Sequence, residues 1–255
     1  MPIQKVNIPD HSMISIIRNH IKTGKGLSLA RIGDGEIHIL NNRLTPHLKK
    51  LFTTIFGYKN PNEGLNDSKK ILINVLKNCD YIGIMGENNI SQNLAEVWRW
   101  DLDDIFIKES ERVKESNFFD CMLVRGTDLG SPKGFNKIIG SEPICIIAPI
   151  VNELKKNNLE KHLDTKISYI KVPLGGDLKN RDHIFKELDK IKERVVIVSN
   201  SIYGKDFPHY LSNKGKVCID MGATLDAWAG KTTRPWFKPG NLQSHCFISH
   251  KKIEV

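Results

Sequence analysis

Short apolar runs alternate along the chain with longer amphipathic segments. Two of the runs, ICIIA at 144–148 and VVIV at 195–198, are apolar at every position. Such runs are typical of strands that are buried on both faces of a parallel sheet. The full pattern predicts strands at Leu27–Ile32, Tyr81–Ile84, Cys121–Val124, Ile144–Ala148, Ile167–Val172, Val195–Ser199 and Lys216–Met221.

The amphipathic segments predict helices between these strands. In His11–Ile21, the side chains of Met13, Ile14, Ile17 and Ile21 fall on one stripe of a helix. The other predicted helices are Ser68–Leu76, Leu94–Ile107, Val151–Asn157, Arg181–Ile191 and Lys205–Asn213. The alternation of strands and helices predicts an α/β fold, with an open, mostly parallel sheet of about seven strands and helices on both faces.

No internal repeat, low-complexity segment or Pro/Gly-rich linker divides the chain, so residues 1–255 are interpreted as one domain with a less regular insertion around 57–120. Gly57–Asp67 and Ser110–Asn117 carry loop signals, and the tail after Trp228 is predicted to be irregular. No run approaches the roughly 18 apolar residues that a membrane span needs. The first residues also lack the apolar core of a secretory signal. We therefore expect a soluble, cytoplasmic protein.

The chain is basic, with 38 Lys and Arg residues against 29 Asp and Glu residues and a formal net charge of +9. This charge favours anionic partners such as phosphorylated metabolites, acidic lipid headgroups or nucleic acid. The basic residues are dispersed in short pairs such as Lys49-Lys50 and Lys155-Lys156, which favours a solvated lysine surface over a specific nucleic-acid site.

The five cysteines and nine histidines show none of the spacings of zinc sites or disulfide frameworks. Cys121, Cys145 and Cys218 lie inside apolar runs, where a free cysteine behaves as a small buried hydrophobic residue. We expect free thiols in a reducing compartment.

The first predicted strand is followed by Arg31-Ile32-Gly33-Asp34-Gly35-Glu36 and then by a helical pattern. Gly33 and Gly35 allow a tight turn and a close approach of the backbone to a ligand. Asp34 and Glu36 are suited to one Mg²⁺ or Mn²⁺ ion, and Arg31 to a phosphate or to one of those carboxylates. On spacing alone, simple capping of the helix by these acids is the more frequent explanation, but capping requires neither the arginine nor both glycines.

The sixth and seventh predicted strands also end in polar loops. Ser199, Asn200, Gly204 and Lys205 are residue types that suit a phosphate cradle at a strand-to-helix junction, although an ordinary polar connection explains them equally well. After the seventh strand come Asp220, Gly222 and Asp226. A carboxylate near the end of a buried strand needs a partner, so Asp220 is expected to meet a backbone amide pair, Arg31, Lys205 or a ligand hydroxyl.

A second acidic motif, Asp101-Leu102-Asp103, has the DxD spacing of many metal-dependent glycosyltransferases. It falls within a predicted amphipathic helix, where residues two apart point in different directions. It therefore ranks below Asp34 and Glu36 as a metal site.

The RIGDGE turn resembles the R-[FY]-G-D-G-E motif of the GT-D-type glycosyltransferases, a bacterial family with a Rossmann-like α/β fold. The segment from Val196 to Trp228 is similar to that family's closing pattern, in which a strand and a small-residue loop with lysine precede a hydrophobic-Asp-hydrophobic-Gly-x-x-Leu-Asp segment. Two departures are Ile32 in place of an aromatic residue and Ser199-Asn200-Ser201 in place of a loop rich in glycine and alanine.

The resemblance implies a metal-dependent hexosyltransferase that moves a sugar from a nucleoside-diphosphate sugar, with UDP favoured, to a glycan or glycoconjugate in bacterial polysaccharide biosynthesis. It implies that Asp34 and Glu36 hold Mn²⁺ or Mg²⁺ on the donor diphosphate, and that the 199–205 loop and the Asp220/Gly222 turn line the donor pocket. Asp220 and Asp226 are the candidates for a general base, and the charge is compatible with peripheral association with the inner face of a membrane. The alternatives are a metal-dependent phosphohydrolase and a non-catalytic nucleotide- or nucleic-acid-binding module.

Overall fold

The computed structural model describes residues 8–84, 117–125, 128–157, 159–173 and 181–231. Its strands are β1 (Leu27–Arg31), β2 (Tyr81–Ile84), β3 (Phe118–Asp120), β4 (Ile144–Ala148), β5 (Ile167–Lys171), β6 (Val195–Val198) and β7 (Val217–Asp220). Its α-helices are α1 (Asp10–Thr23), α2 (Asp34–Leu40), α3 (Pro46–Lys50), α4 (Pro61–Asn78), α5 (Pro132–Ile139), α6 (Val151–Lys156), α7 (Leu159–Leu163), α8 (Arg181–Leu188), α9 (Phe207–Ser212) and α10 (Thr224–Trp228). A π-helix spans Leu51–Ile55, and 3₁₀ helices span Cys121–Arg125 and Ile202–Gly204.

The described strands form one parallel sheet in the order β3-β2-β1-β7-β6-β4-β5. β7 is the central strand and β1 lies beside it, where Leu29 of β1 is level with Tyr81 of β2 and with Ile219 of β7. Buried apolar side chains cover both faces of the central strands, because each strand of a parallel sheet packs against helices above and below. The predicted α/β class, the parallel sheet of about seven strands and the helices on both faces are confirmed.

Alternate residues of the central strands enter cores on opposite faces. Leu27 and Leu29 of β1 pack in the same core as Leu225 and Trp228 of α10. Ala30 faces the other side and packs in the core that contains α2 and α4. The two helices that follow β1 and β7, α2 and α10, therefore lie on opposite faces of the sheet. Adjacent strands whose following segments diverge in this way leave a crevice at their carboxyl ends, which is where open α/β sheets bind ligands.

The strand predicted at Cys121–Val124 is wrong. The strand is Phe118–Asp120, and Cys121–Arg125 forms a 3₁₀ helix. Asp120 Oδ1 accepts a hydrogen bond from the Met122 amide at 2.8 Å, a local contact that turns the chain out of the sheet. The apolar run CMLV is buried by this helical turn, and its burial alone does not distinguish a strand from a helix.

The loop predicted at Gly57–Asp67 is also wrong over most of its length, because α4 begins at Pro61. The Asn60 side chain accepts a hydrogen bond from the Asn62 amide, and proline in the first turn lacks only an N–H that would be unpaired there. Gly64 is buried inside the helix where a Cβ would lie 2.7 Å from the Phe52 ring. The residues that signal a loop thus begin a helix and bring it close to an aromatic ring.

Several predicted features fall outside the described residues, including the helix Leu94–Ile107 with its DxD motif and most of the tail after Trp228. Short helices that were not predicted occur at Pro46–Lys50, Pro132–Ile139 and Leu159–Leu163. Within the described part of the chain, every helix is too short or too polar to cross a bilayer.

The cysteines that the structure describes are free and buried, as predicted for Cys121, Cys145 and Cys218, and Cys79 is buried as well. Burial raises the pKa of Cys79 to about 12 and that of Cys121 and Cys145 to about 11. These thiols are therefore neutral at physiological pH and act as small apolar side chains.

Candidate active site

Four charged side chains meet at the carboxyl ends of β1 and β7. Asp220, the last residue of β7, accepts hydrogen bonds from Lys205 Nζ at 2.7 Å and from the Arg31 backbone amide at 3.2 Å, both at Oδ2. Arg31 Nη2 lies 3.4 Å from the other carboxylate oxygen, and Arg31 Nε donates to the Asp220 carbonyl at 2.9 Å. Arg31, Lys205 and Asp220 are 6%, 5% and 4% exposed. They form a buried ion-pair network that joins both strands to the segment after β6.

Lys205 connects this network to the turn after β1. Its ammonium group contacts the Arg31 carbonyl at 2.8 Å, Asp220 Oδ2, and Glu36 Oε1 at 3.3 Å. An ammonium has three N–H donors, so these three acceptors satisfy it. The second oxygen of Glu36 accepts a hydrogen bond from the Gly33 amide at 3.0 Å. Glu36 is therefore both the N-terminal cap of α2 and a partner of a buried cation.

Arg31 is placed by two glycines, Gly83 on β2 and Gly222 in the turn after β7. A Cβ on Gly222 would lie 1.8 Å from Arg31 Nη2, and a Cβ on Gly83 of β2 would lie 2.9 Å from Arg31 Cγ. Gly222 also has a φ of +48°, a left-handed conformation that favours glycine. The sequence predicted that Gly222 lines the donor pocket. In the structure, the Arg31 guanidinium group occupies the space that a side chain at position 222 would need. Gly83 was not predicted; the only sequence signal is a glycine inside a strand, which often marks a close approach.

The network keeps Asp220 ionised. Burial on its own raises the pKa of Asp220, but the attraction of Arg31 and Lys205 and the hydrogen bonds from both outweigh it, so the pKa is lowered. A carboxylate with a lowered pKa and cationic neighbours is a weak proton acceptor. The expected partners of Asp220, Arg31 and Lys205, are the ones that the structure provides.

The loop after β6 contains an unusual buried amide. Asn200 is 2% exposed, and neither its Oδ1 nor its Nδ2 has a hydrogen-bond partner in the part of the chain that the structure describes. The Asn200 carbonyl accepts a hydrogen bond from the Gly204 amide at 3.1 Å, and a Cβ on Gly204 would lie 2.7 Å from Asn200 Cβ. Ser199 is buried and its amide continues the β-ladder to Ile147. A buried, unpaired amide is costly, which makes Asn200 a candidate ligand contact.

An aromatic cluster holds the same loop against α4. Tyr203 is buried, its ring lies 4.6 Å from that of Phe56, and its hydroxyl donates to the Tyr58 hydroxyl at 3.3 Å. Tyr58 in turn donates to Asp67 Oδ2 at 3.3 Å. This cluster, which sequence reasoning missed, fixes the residues immediately before Lys205.

The other predicted site residues are less closely connected. Gly35 lies in the first turn of α2, where an added Cβ would meet no atom within 4 Å. Asp34 begins α2, and its side chain lies outside what the structure describes. Asp226 lies half-buried in the first turn of α10, next to Thr224, whose hydroxyl donates to the Val124 carbonyl at 2.8 Å.

Glu36 is the only described carboxylate of the predicted metal pair. Each of its oxygens makes one of the contacts given above and keeps a lone pair for another. Lys205 nevertheless competes with any cation at the same carboxylate, so Glu36 fits a divalent ion only as a shared ligand beside another donor such as Asp34. Among the described residues, no three His, Cys, Asp or Glu side chains form a group able to hold a metal.

The family of the chain follows from comparison with known proteins. A family model described as a GT-D fold-like domain matches residues 8–228. The matched range contains β1 through α10 and all four side chains of the buried network. The chain therefore belongs to the GT-D-like family, as the RIGDGE turn and the closing segment had suggested. No curated protein matches the sequence.

Solved structures share the fold at low identity. One is described as "A New Glycosyltransferase (DUF1792) from Streptococcus sanguinis", at 13% identity over 94% of each chain with a TM-score of 0.56. Another, described as showing that domain of unknown function 1792 "has a distinct glycosyltransferase fold", is 19% identical over 83% of this chain and 77% of that chain, with a TM-score of 0.55. A selenomethionine structure of the same domain is 17% identical over 94% of this chain and 90% of that chain, with a TM-score of 0.56. These similarities establish a shared glycosyltransferase fold.

Proposed function

We propose that this protein transfers a sugar from a nucleoside-diphosphate sugar, with UDP favoured, to a hydroxyl group of a glycan or glycoconjugate. The observation that carries the proposal is the buried Arg31–Asp220–Lys205–Glu36 network at the crevice between the carboxyl ends of β1 and β7. Membership in a family with a glycosyltransferase fold supports the reaction class. The net charge of +9 favours an anionic ligand such as a diphosphate.

In the proposed reaction, the bond between the anomeric carbon and the β-phosphate oxygen breaks, and the acceptor oxygen forms a bond to that carbon. Negative charge develops on the departing diphosphate. Arg31 and Lys205 stabilise this charge through the field of their fixed positions, since fixed charges need little reorganisation during the reaction. Lys205 donates two hydrogen bonds within the protein and forms an ion pair with Glu36, so we assign it a positioning role and not a direct phosphate contact.

A proton leaves the acceptor hydroxyl in this transfer. Asp220 is unsuited to receive it because its carboxylate is buried between two cations and its pKa is lowered. Of the two carboxylates that the sequence offers for this role, we therefore favour Asp226, which is half-buried after the end of β7. Asp220 instead positions Arg31 and Lys205.

A divalent cation, Mn²⁺ or Mg²⁺, would be held by Asp34 and Glu36 and would neutralise charge on the donor diphosphate. Glu36 would share its carboxylate between this cation and Lys205. In the same proposal, Asn200 supplies an amide donor and acceptor to the bound donor sugar or its base, which would relieve its unpaired state.

The test measures donor binding and sugar transfer with a panel of UDP-, GDP-, CMP- and dTDP-sugars, with and without Mn²⁺. Glu36→Gln should weaken metal-dependent thermal stabilisation by the donor and lower transfer at least about tenfold, because a neutral amide is a poor metal ligand. Glu63→Gln is the matched control, since Glu63 occupies the third position of α4 as Glu36 does of α2, and it should change neither quantity.

Other outcomes would redirect the assignment. Release of free phosphate or nucleotide from the donor without transfer to any acceptor would favour the phosphohydrolase. Undiminished transfer by the unmodified protein in chelator, together with full activity of Glu36→Gln, would remove the metal from the mechanism. If neither the unmodified protein nor either variant bound any donor of the panel, the proposal that the substrate is a nucleotide-sugar would be wrong.

A further inference from the structure

One long segment of the chain carries basic residues and no acidic ones. Residues 37–62 contain four Lys or Arg residues and neither Asp nor Glu, whereas the whole chain has 29 acidic residues. The segment forms most of α2, then α3, the π-helix at Leu51–Ile55 and the start of α4. Its apolar side chains, such as Leu48 and Phe52, pack beneath it in the core on the α2 side of the sheet. The segment thus presents an anchored surface and not a free tail.

The outer side of this segment combines positive charge with an exposed aliphatic group. Ile55 is 45% exposed and is the only large apolar side chain with such exposure within the described ranges. The exposed basic residues of the segment are Arg43, His47, Lys49, Lys50 and Lys59. We call these five residues together with Ile55 the basic surface.

The part of the basic surface around Ile55 lies near the loop that carries Lys205 of the candidate active site. Phe56, next to Ile55, contacts the ring of Tyr203, which precedes Lys205 of the buried network by two residues. The first turns of α4 carry the acidic residues Glu63 and Asp67, and Asp67 is bound by Tyr58 and Lys70. A partner that contacts Ile55 would therefore lie near the loop that carries Lys205.

We propose that the basic surface docks the protein on an anionic lipid bilayer. Charge complementarity attracts clustered Lys and Arg residues to acidic headgroups, and Ile55 enters the headgroup region as an apolar contact. The exposed group at its centre is aliphatic, which favours lipid over nucleic acid, since single-stranded nucleic acids are bound by stacking on aromatic rings. This docking does not depend on the proposed activity, although it would bring a membrane-bound acceptor to the site.

The experiment measures co-sedimentation of the full chain with vesicles of phosphatidylcholine alone or with about one-third phosphatidylglycerol, in the absence of substrate. Binding should require the anionic lipid and weaken with salt. Lys49→Glu/Lys50→Glu should lower the partition coefficient at least about tenfold, because each basic residue at an anionic surface contributes about fivefold. Ile55→Ser should lower it by a smaller factor, about threefold.

Lys155→Glu/Lys156→Glu is the matched control, because both pairs are exposed and lie in the last turn of a short helix. This control changes the net charge and the charge at a helix end by the same amount as Lys49→Glu/Lys50→Glu does. It should leave vesicle binding within about twofold of that of the unmodified protein. Lys49→Gln/Lys50→Gln, checked for an unchanged thermal unfolding transition, should give an intermediate loss. Equal losses at both lysine pairs, no binding to anionic vesicles, or displacement of the vesicles by RNA with the same dependence on Lys49 and Lys50 would each overturn the proposal.

Discussion

Charged side chains are exposed at the amino end of the central strands and buried at the carboxyl end. At the amino end, the acid of the Lys214–Asp189 pair is 46% exposed, and the exposed Asp80 accepts hydrogen bonds from the buried Ser28. At the carboxyl end, Lys205 and Asp220 form an ion pair whose side chains are 6% and 5% exposed. Both ends belong to the same strands, so the difference does not come from secondary structure.

Water solvates the charged groups at the amino end, whereas at the carboxyl end the protein itself must solvate them. Exposed ion pairs contribute little, because water and salt screen them. A buried pair repays its desolvation only when geometry and hydrogen bonds are nearly complete, so it is a poor means of gaining stability. We interpret the carboxyl end as a place where stability is given up to keep two cations fixed beside the crevice.

The largest effect should come from removing the shared carboxylate. Asp220→Ala leaves Arg31 and Lys205 buried without their partner and should lower the free energy of unfolding by about 3–5 kcal/mol. Asp189→Ala at the amino end should cause a much smaller loss, since water replaces the carboxylate. Urea denaturation of both variants measures the difference, and similar losses would show that the two ends are energetically alike.

Three glycine-to-alanine variants should change the free energy of unfolding by intermediate amounts and test the packing around Arg31. Gly222→Ala combines a positive φ with a clash against Arg31 and should cost about 2–4 kcal/mol. Gly57→Ala has a φ of +70° but open space, and should cost about 1 kcal/mol. Gly35→Ala has neither feature and should be neutral or slightly stabilising. A Gly222→Ala loss no larger than that of Gly57→Ala in the same urea experiment would mean that the guanidinium group moves aside freely.

The smallest effect should appear in acid. Because the pKa of Asp220 is lower in the folded state than in the unfolded chain, its contribution is complete above about pH 4 and declines as the pH falls toward the folded-state value. Below about pH 4, the free energy of unfolding of Asp220→Asn should therefore decrease less steeply than that of the unmodified protein.

Salt provides the control for this acid effect. A hydrogen bond from Lys214 lowers the pKa of Asp189, which is exposed, so roughly 0.5 M salt should weaken its part of the acid dependence. The part that Asp220→Asn removes should persist in salt. If salt removed all of the difference between Asp220→Asn and the unmodified protein, the network would be solvated and not buried.

Sequence reasoning was accurate where a pattern repeats within a few residues. The strands near Ile144 and Val195, the helix around Met13 and the turn at Arg31–Glu36 all carry periodicity or spacing that local geometry determines. It failed at Cys121–Val124, where one hydrogen bond from the Asp120 carboxylate redirects an apolar run, and at Pro61, where a loop signal starts a helix.

The sequence by itself determined the parallel α/β architecture and the polar loops that follow β1, β6 and β7, because burial periodicity and the alternation of strands and helices are encoded along the chain. Only the tertiary structure decided that Glu36 turns toward Lys205, that Gly83 and Gly222 make room for one guanidinium group, and that Asp220 is held between two cations. Arg31 and Asp220 are separated by 189 positions along the chain. A contact at that distance depends on how strands pair, and side-chain chemistry alone does not specify which of several available partners a buried charge will meet.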